Sequence, residues 1–321
     1  MTHEELSHHF RATRCLVTGG AGFIGSNLTR RLLACGARVT VLDNFVTGKR
    51  ENLAAADSLT VVEGDLCSLP ELPEIVSQSD YVFHLAAQVG NIKSIKDPEA
   101  DVRTNVLGSV RLFHTCKSTA VKKVVYSSSS AIFGESAEIP IDEERPRTPE
   151  SFYALSKLAG EQYALLSQSL WGLPAVCLRY FNVFGLPMEN NEYTGVISIF
   201  FHRLQADEPL VIFGDGNQCR DFIYVSDVAQ ANLLAAKRGK PGRVYNIGSG
   251  KATTILQLAE TMIELTGSDS EIVFADFRAG EVRKSLADVR RAKAELGFAP
   301  EFEIRRGLAA IWEKIRRSAS A

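Results

Sequence analysis

Short β-branched runs alternate with amphipathic stretches through the first half of this 321-residue chain. The apolar spacing of the stretches predicts helices at Phe23–Cys35, Pro98–Ser118 and Phe152–Trp171. Strand–helix alternation implies parallel strands joined by right-handed crossovers, so we predict an α/β fold with a doubly wound parallel sheet. The runs predict strands at Cys15–Thr18, Arg38–Leu42, Leu59–Val62, Tyr81–His84, Lys123–Ser127 and Ala175–Tyr180.

The pattern changes after about Gly185, where loops lengthen and Gly and Pro residues cluster. We predict a main domain over residues 14–185 and a smaller C-terminal α/β lobe over residues 186–220 and 249–321. Residues 221–248 again have the pattern of a helix and a strand, and we expect them to rejoin the main sheet. Residues 1–13 are polar, which favours a flexible, solvated leader over a metal-binding role for its two adjacent histidines.

Composition and charge exclude several classes of partner. A formal net charge of -2 gives no basis for general binding to nucleic acid or to a membrane surface. The six cysteines are scattered and no histidines cluster near them, which argues against a zinc site or a disulfide framework. We therefore expect no metal, and a location in the reducing cytoplasm. No apolar run approaches the length of a membrane span.

Three glycines follow the first predicted strand and open the first predicted helix. Gly19, Gly22 and Gly25 form a G-x-x-G-x-x-G pattern. Such a turn lets the backbone approach a pyrophosphate closely, and the helix N-terminus offers N–H donors to it. A tight structural turn would also use glycine, but the position between strand and helix favours dinucleotide binding.

Asp43 ends the second predicted strand, eighteen residues beyond Gly25. A carboxylate there can accept hydrogen bonds from both ribose hydroxyls and would repel a 2′-phosphate, which favours NAD over NADP. Lys49 and Arg50 lie nearby and are the residues that argue against this preference. Asp65, after the third strand, is a candidate for the adenine, although a plain turn residue has the same spacing.

Tyr153 and Lys157 are four residues apart on one predicted helix, so their side chains share a face. A lysine cation about 6 Å away, at an effective dielectric of roughly 20, favours the phenolate by about 2.8 kcal/mol. We therefore expect Lys157 to lower the pKa of Tyr153 by about two units, toward that of a useful base. Upstream, Ser127 to Ser130 end an apolar strand at the sheet edge where parallel sheets bind ligands. One of these hydroxyls can bond a substrate oxygen beside the tyrosine.

Together these features resemble the extended short-chain dehydrogenase/reductase family, in particular its sugar-nucleotide epimerase and dehydratase branch. The similarity runs from about Arg14 to Leu308. The resemblance implies a Rossmann fold with NAD as cofactor, bound by the main domain, and a substrate bound by the smaller lobe. Besides the glycine turn, it rests on the segments His84–Gln88, Thr104–Gly108, Arg179–Gly185, Gly214–Gly216, Arg220–Val225 and Tyr245–Gly248.

The resemblance also implies roles for individual residues. Tyr153 is the base, Lys157 its electrostatic partner, and Ser129 the hydroxyl that bridges substrate and tyrosine. The implied cofactor-binding residues are Gly19, Gly22, Phe23, Ile24, Gly25, Asp43, Asn44, Asp65, Leu66, Leu85, Ala86, Ala87, Asn105, Tyr153, Lys157 and Tyr180. The implied substrate-binding residues are Ser129, Ser130, Asn182, Phe213, Arg220, Arg278 and Ser285.

Among the substrate residues, the resemblance places Asn182, Arg220 and Arg278 on the diphosphate and Phe213 under the nucleobase. Two arginines suit a diphosphate, because the planar guanidinium pairs with phosphate oxygens in bidentate fashion. Alternatively, Arg220 pairs with Asp221 or Asp227, and Arg278 is a surface charge.

The residues after Ser129 discriminate between reactions of the family. A 4,6-dehydratase of this branch has an acidic pair there and a uronate decarboxylase a Glu, but this chain has Ser130, Ala131 and Ile132. None of these can act as acid or base, which favours C4 epimerisation of a nucleotide-diphosphate sugar. A dehydratase, decarboxylase or reductase remains the alternative within the family, and a nucleotide-sensing regulator on the same fold the alternative outside enzymes.

The resemblance places Ser285 at a position that controls access to the sugar pocket in the hexose 4-epimerases. A large aromatic residue there closes the pocket against a 2-acetamido group. A small residue admits the acetamido group, so we expect UDP-GlcNAc/UDP-GalNAc to be used, alone or beside UDP-Glc/UDP-Gal. Many relatives carry Ser there whatever their sugar, and that alternative stays open. The family also implies a homodimer, with the helices over 98–118 and 152–171 paired across a two-fold axis.

Overall fold

A computed structural model describes residues 3–136, 138–187, 195–277 and 282–319. The helices are α1 (His3–Phe10), α2 (Phe23–Ala34), α3 (Leu72–Ser77), α4 (Asn91–Lys96), α5 (Pro98–Val102), α6 (Gly108–Cys116), α7 (Phe152–Trp171), α8 (Val196–Gln205), α9 (Val225–Arg238), α10 (Ile255–Thr266) and α11 (Ile304–Ala319). The strands are β1 (Arg14–Thr18), β2 (Arg38–Asp43), β3 (Leu59–Glu63), β4 (Tyr81–His84), β5 (Lys123–Ser129), β6 (Ala175–Tyr180), β7 (Asn182–Phe184), β8 (Leu210–Phe213), β9 (Cys219–Tyr224), β10 (Val244–Ile247), β11 (Ala252–Thr254) and β12 (Ile272–Ala275).

The main sheet has seven parallel strands in the order β3-β2-β1-β4-β5-β6-β10. Helices α2 and α9 pack together, as do α6 and α7, and two apolar clusters fill the core. Strands β4 and β6 are buried at every position, as expected of strands covered on both faces. This arrangement confirms the predicted α/β, doubly wound Rossmann fold. Its strand order reverses between β1 and β4, and ligands bind such sheets at that switch point.

The smaller lobe contains two short sheets and its own apolar core. Strands β12 and β8 pair in parallel, and β11-β9-β7 form the other sheet. Helices α8, α10 and α11 contribute apolar side chains such as Phe201, Met262 and Ile311 to the core of this lobe. Between β9 and β11 the chain returns to the main domain, because α9 packs on α2 and β10 pairs with β6 as the edge strand of the main sheet.

The predicted helix over 98–118 contains an irregularity. A π-helical turn, Arg103–Leu107, separates α5 from α6, and the last helical residue is Cys116. The turn contains Asn105, whose buried side chain binds groups outside its own helix. Single π-turns of this kind occur frequently at functional sites. Across the described ranges, no helix combines the length and apolar character that a membrane crossing requires.

The prediction of a solvated leader is wrong for the N-terminal segment that the structure describes. Residues 3–10 form α1, and its Leu6 and Phe10 are buried in the main core against the same cluster as α2 and α9. His9 Nε2 lies 3.0 Å from the hydroxyl oxygen of Tyr81. Leu6 and Phe10 are four residues apart, so both lie on the same face of the helix. The prediction missed this spacing because most other residues of the segment are polar.

We expect Phe10→Ala to lower the free energy of unfolding by about 3 kcal/mol, because a fully buried ring leaves a cavity. Chemical denaturation measures this change. His8→Ala, at an exposed position of the same helix, is the control and should leave the stability within about 0.5 kcal/mol. Equal stability of both variants would show that α1 does not hold the core.

Candidate active site

The glycine turn has the geometry of a pyrophosphate cradle. Gly19 has φ +70°, and a Cβ there would lie 2.6 Å from the Ala86 nitrogen. A Cβ on Gly25 would lie 2.1 Å from the Gly19 carbonyl oxygen, so the turn cannot close with a larger residue. A Cβ on Gly22 would meet that same oxygen only at 3.4 Å. Gly22 therefore leaves open space in front of α2, whose first residues, Phe23 and Ile24, present backbone N–H groups without a side-chain cap.

Asp43 holds the turn and the following loop together. Its two carboxylate oxygens accept hydrogen bonds from the Ala21 N–H and the Phe45 N–H, each at 2.9 Å. Asn44 accepts from the Val46 N–H at 3.2 Å and stabilises the same loop. The carboxylate thus lies beside the glycine turn, where the ribose of a bound dinucleotide would meet it.

Lys49 and Arg50, the two cations that could favour NADP over NAD, each lie near a carboxylate. Lys49 lies 3.7 Å from Glu51, and the Arg50 guanidinium lies 2.5 Å from Glu63 and 4.4 Å from the centre of the Phe45 ring. Their positions are compatible with NAD, because both charges have partners within the loop or on β3.

Asp65 and Leu66 follow β3 at the predicted adenine end. Burial opposes ionisation of Asp65, but the Cys67 N–H, at 2.7 Å, and the Arg103 guanidinium, at 3.4 Å, keep its pKa below the ordinary value. Leu66 is buried beside Cys67. Arg103 was not foreseen from the sequence, because its position on the π-turn depends on how α5 and α6 meet.

A buried polar chain connects the glycine turn to the helix that bears Tyr153. The Ala86 N–H donates to the Thr18 hydroxyl at 3.3 Å, and that hydroxyl lies 2.7 Å from Nδ1 of His84. On its other side, Nε2 of His84 lies 2.9 Å from the Ser109 hydroxyl, which donates to the Asn105 carbonyl. Burial, and then the charge of Lys157, lower the pKa of His84 to about 3, so the ring is neutral.

Asn105 extends this series of hydrogen bonds to α7, the helix that bears Tyr153. Its amide nitrogen donates to the Gln88 carbonyl, to Asp101 Oδ1 and to the Ser156 hydroxyl, each at 3.0 Å. Its amide oxygen accepts from the Gln88 N–H at 2.8 Å. The segment Leu85–Ala87, predicted to line the cofactor, is therefore fixed at both ends.

Ser129 and Tyr153 come together at the carboxyl edge of the sheet. Ser129 is the last residue of β5, and Tyr153 is the second residue of α7, which Ser151 caps by accepting the Ala154 N–H at 3.1 Å. Burial raises the pKa of Tyr153 to about 12, although a hydrogen bond with Ser129 acts in the opposite direction. Ser130 begins the 3-10 turn that follows and is partly buried.

Lys157 does not have the predicted effect on the pKa of Tyr153. We expected its ammonium to lower the pKa of the tyrosine, but burial dominates and the pKa is raised. The Lys157 Nζ lies 4.6 Å from the centre of the Tyr126 ring instead. Burial lowers the pKa of Lys157 to about 8, and Asp101, Cys177 and Glu161 oppose this shift.

Gly160 makes this position of Lys157 possible. A Cβ on Gly160 would lie 2.1 Å from the Tyr126 hydroxyl oxygen, so only glycine lets the ring pack against α7. The Tyr126 hydroxyl then donates to the Lys157 carbonyl at 3.3 Å. Sequence reasoning missed both residues; the one available signal was a glycine one turn beyond Lys157 within a helix.

Tyr180 lies at the end of β6, and its hydroxyl forms hydrogen bonds with buried side chains. It lies 2.9 Å from the Ser127 hydroxyl and donates to Asn232 at 2.9 Å. Burial raises its pKa to about 12. These bonds give Tyr180 a structural role, and its predicted contact with the cofactor stays a prediction.

Four of the predicted substrate residues lie on or beside the strands of the smaller lobe. Asn182 begins β7 and donates to the Asp221 carbonyl at 3.4 Å, Phe213 ends β8, and Arg220 lies on β9. The Ser285 N–H donates to the Cys219 carbonyl, next to Arg220, at 3.1 Å. Arg278, the second predicted diphosphate ligand, lies outside the described residues.

Both carboxylates considered as partners of Arg220 bind backbone groups. Asp221 accepts from the N–H groups of Ser249, Gly250 and Ala287, and Asp227 accepts from those of Glu301 and Phe302. This arrangement is compatible with the predicted role of Arg220 toward an anionic ligand. Within the described ranges, no group of three or more His, Cys, Asp or Glu side chains could hold a metal ion.

Comparisons with known proteins agree with this geometry. A family model described as "NAD dependent epimerase/dehydratase family" matches residues 15–248. UDP-glucose 4-epimerase of Mycolicibacterium smegmatis is 36% identical over 312 residues, covering 94% of this chain and 98% of that protein. Relatives named dTDP-glucose 4,6-dehydratase and UDP-N-acetyl-alpha-D-glucosaminuronate decarboxylase also match, at 33% and 32% identity.

Two solved structures are similar over almost the whole chain. UDP-N-acetylglucosamine 4-epimerase from Methanobrevibacter ruminantium, in complex with UDP-N-acetylmuramic acid, has a TM-score of 0.92 at 37% identity and covers 96% of this chain and 99% of that one. UDP-glucose 4-epimerase from Thermotoga maritima, with UDP-glucose, has a TM-score of 0.91 at 38% identity and covers 96% and 100%.

The glycine turn can be tested with two alanine substitutions that differ in what the new methyl group meets. Gly25→Ala forces the Gly19 carbonyl to move, so we expect lost stability and lost NAD binding together. Gly22→Ala meets no close atom, so we expect the fold to stay and NAD binding to fall at least about tenfold, or about 1.4 kcal/mol. Calorimetry measures both quantities. Unchanged NAD affinity in Gly22→Ala would place the pyrophosphate elsewhere.

Proposed function

Because this chain belongs to the NAD-dependent epimerase/dehydratase family, we propose that it catalyses C4 epimerisation of a nucleotide-diphosphate sugar. The observation that carries this proposal is the hydrogen-bonded pair of hydroxyls, Ser129 and Tyr153, at the carboxyl edge of the main sheet. No acidic residue directly follows Ser129 in the sequence. Such a pair handles one proton on one sugar oxygen, which is what epimerisation through a transient 4-keto sugar requires.

The residues of the chain divide the work as follows. Bound NAD supplies a hydride acceptor that can return the hydride. Tyr153 removes the proton of the sugar C4 hydroxyl and later gives it back, while the Ser129 hydroxyl holds the C4 oxygen in place. Arg220 and Arg278 hold the diphosphate, so the sugar can turn over without leaving the site.

The charges around Tyr153 set the conditions for this step. A phenol whose pKa is raised to about 12 is almost entirely protonated near pH 7. Turnover therefore requires that cations stabilise the phenolate, and Lys157 is the nearest cation of the chain on α7. We infer that the positive charge of the bound cofactor supplies the rest.

The segment after Ser129 supports epimerisation over the other reactions of the family. Residues 130–133 form a 3-10 turn in which Ile132 and Phe133 are buried. A dehydratase must also move a proton at a second carbon, which needs an acid–base pair here. Ser130 and Ala131 supply none. A dehydratase, decarboxylase or reductase is the second candidate, because relatives with two of these names match the chain.

For the sugar, we propose UDP-GlcNAc/UDP-GalNAc and UDP-Glc/UDP-Gal. Ser285 is only 8% exposed and lies directly against β9. A side chain of this size leaves room for a 2-acetamido group, whereas a large aromatic would fill the space. The solved structures that are similar to this chain include one named for each type of sugar.

We further propose a homodimer, located in the cytoplasm. Helix α5, the π-turn that follows it and helix α7 expose apolar side chains to solvent in the part of the chain that the structure describes. All six cysteines are unpaired, as in proteins of a reducing compartment. The exposed apolar residues are Val102, Leu107, Phe152, Leu155, Tyr163, Leu166 and Leu170.

Tyr153→Phe tests the function. We expect kcat for interconversion of UDP-sugars to fall by about 10²-fold or more, because the proton has no acceptor, while NAD remains bound. NMR of the sugar products measures the reaction, and NADH absorbance should show that no NADH accumulates. Tyr163→Phe, on the exposed face of the same helix, is the matched control with unchanged kcat. A persistent keto or decarboxylated sugar from the wild-type protein would favour the second candidate.

Ser285→Tyr tests the sugar. We expect loss of activity on UDP-GlcNAc with activity on UDP-Glc retained, because the larger ring occupies the space of the acetamido group. Ser285→Ala keeps the space and should keep both substrates. Wild-type activity on UDP-Glc with none on UDP-GlcNAc would contradict the proposal without affecting C4 epimerisation.

Leu170→Glu tests the dimer, since this side chain is 72% exposed on α7. We expect light scattering to give the dimer mass for the wild type and the monomer mass for this variant, because a charge cannot be buried unpaired in an apolar interface. Val273→Glu, exposed on the other lobe, is the control and should remain dimeric. A monomeric wild type refutes the proposal.

A further inference from the structure

Asp101 is a buried carboxylate that neither the cofactor site nor the proton transfer uses. It lies on α5, is 0% exposed, and accepts a hydrogen bond from the Asn105 amide at Oδ1. Its other oxygen, Oδ2, has no hydrogen-bond partner in the part of the chain that the structure describes. Burial raises the pKa of Asp101, while a hydrogen bond with Ser156 and the charge of Lys157 act in the opposite direction. The ionised form of a buried carboxylate with an oxygen that has no donor is costly unless a cation lies nearby to compensate its charge.

Lys157 is a cation in the same pocket that needs such a charge. Its side chain is buried, and its Nζ lies over the face of the Tyr126 ring, which attracts a cation but accepts no proton. The Asn105 amide binds both Asp101 and Ser156, the residue that precedes Lys157, so α5 and α7 are joined at this point. The carboxylate and the ammonium are therefore held on facing helices.

We propose that Asp101 is the counter-ion of Lys157, a positioning residue that keeps the buried ammonium charged. It touches neither sugar nor cofactor and acts only through the lysine. Its consequence for turnover rests on the epimerase function proposed above, but the electrostatic interaction between Asp101 and Lys157 does not.

The other groups around Lys157 do not provide this charge. Glu161, one turn along α7, forms two hydrogen bonds, at 2.9 and 2.7 Å, with the buried Arg179 of β6, and that pair is internally balanced. Burial keeps Cys177 of β6 and Tyr126 of β5 protonated by raising the pKa of each. The remaining titratable neighbours are His84 of β4, which is neutral, and Tyr153 of α7, which is protonated near pH 7.

The direction of the effect follows from the charges. Burial lowers the pKa of Lys157 to about 8, and Asp101 is the first of the groups that oppose this. Without the carboxylate, the lysine loses its proton at a lower pH, so the charged fraction near pH 7 falls. Asp101→Asn removes the charge but keeps an oxygen that can accept from Asn105.

The experiment is a pH titration of NAD-loaded protein with ¹³C-labelled lysine side chains, followed by NMR. Lys157 is assigned as the signal that is lost in Lys157→Gln. We expect Asp101→Asn to move its midpoint down by about one pH unit or more. Asp97→Asn, which changes the carboxylate that caps the same helix by accepting the Ala100 N–H, is the matched control and should leave the midpoint unchanged. An unchanged midpoint in Asp101→Asn overturns the proposal.

A second variant and a kinetic measurement separate an electrostatic role from a structural one. Asp101→Ser also keeps an acceptor for Asn105 and should shift the midpoint in the same direction if Asp101→Asn does not fold. The alkaline limb of the kcat profile should move to lower pH with KM unchanged, and Asp101→Asn should cause no further loss in a Lys157→Gln background. Because the lysine titration needs no substrate, it tests the electrostatic interaction between Asp101 and Lys157 even if the chain proves to catalyse another reaction.

Discussion

The hydrogen-bonded chain from Thr18 through His84 and Ser109 to Asn105 is the interaction on which the site depends. It crosses the carboxyl ends of β1 and β4 and reaches α7 through Ser156. Every member is buried, so a break would leave a polar group unsatisfied at a cost of about 1–3 kcal/mol. The glycine turn and α7, which bears Tyr153, are therefore positioned as one unit, although they are more than a hundred residues apart in the sequence.

A second buried network, around Arg179 and Glu161, stabilises the carboxyl edge of the sheet at β5 and β6. Arg179 and Glu161 are both 0% exposed, Ser128 donates to Glu161 at 2.8 Å, and Arg179 donates to the Glu143 carbonyl at 2.8 Å. A buried ion pair offsets its desolvation only when the remaining polar groups are satisfied, and these bonds satisfy them. The pair fixes β5, β6 and α7 around Ser129 without adding net charge beside Lys157.

Local patterns sufficed to predict the sheet and the glycine turn, because strand ends and helix faces follow directly from short sequence periods. They also predicted serine hydroxyls near Tyr153, but the choice of Ser129 among them rested on the family resemblance. The strand Ala175–Tyr180 was predicted to the residue. The environment of Lys157 could not be predicted, because Tyr126 and Asp101 meet it only through packing of distant elements. The same holds for α1, whose burial depends on a surface formed by α9 and the sheet, and for Tyr180, whose partner Asn232 lies 52 residues away.

Asp43 links two properties that protein engineers treat as separable. Its carboxylate is predicted to bind the ribose, and the same two oxygens accept hydrogen bonds from Ala21 of the glycine turn and Phe45 of the next loop. A Cβ on Gly48 would lie 2.8 Å from Asp43 Oδ1, so the loop is fitted closely around this side chain. Replacing Asp43 to change coenzyme preference would therefore loosen the pyrophosphate turn at the same time. A switch to NADP would have to begin with the loop rather than with the acidic residue alone.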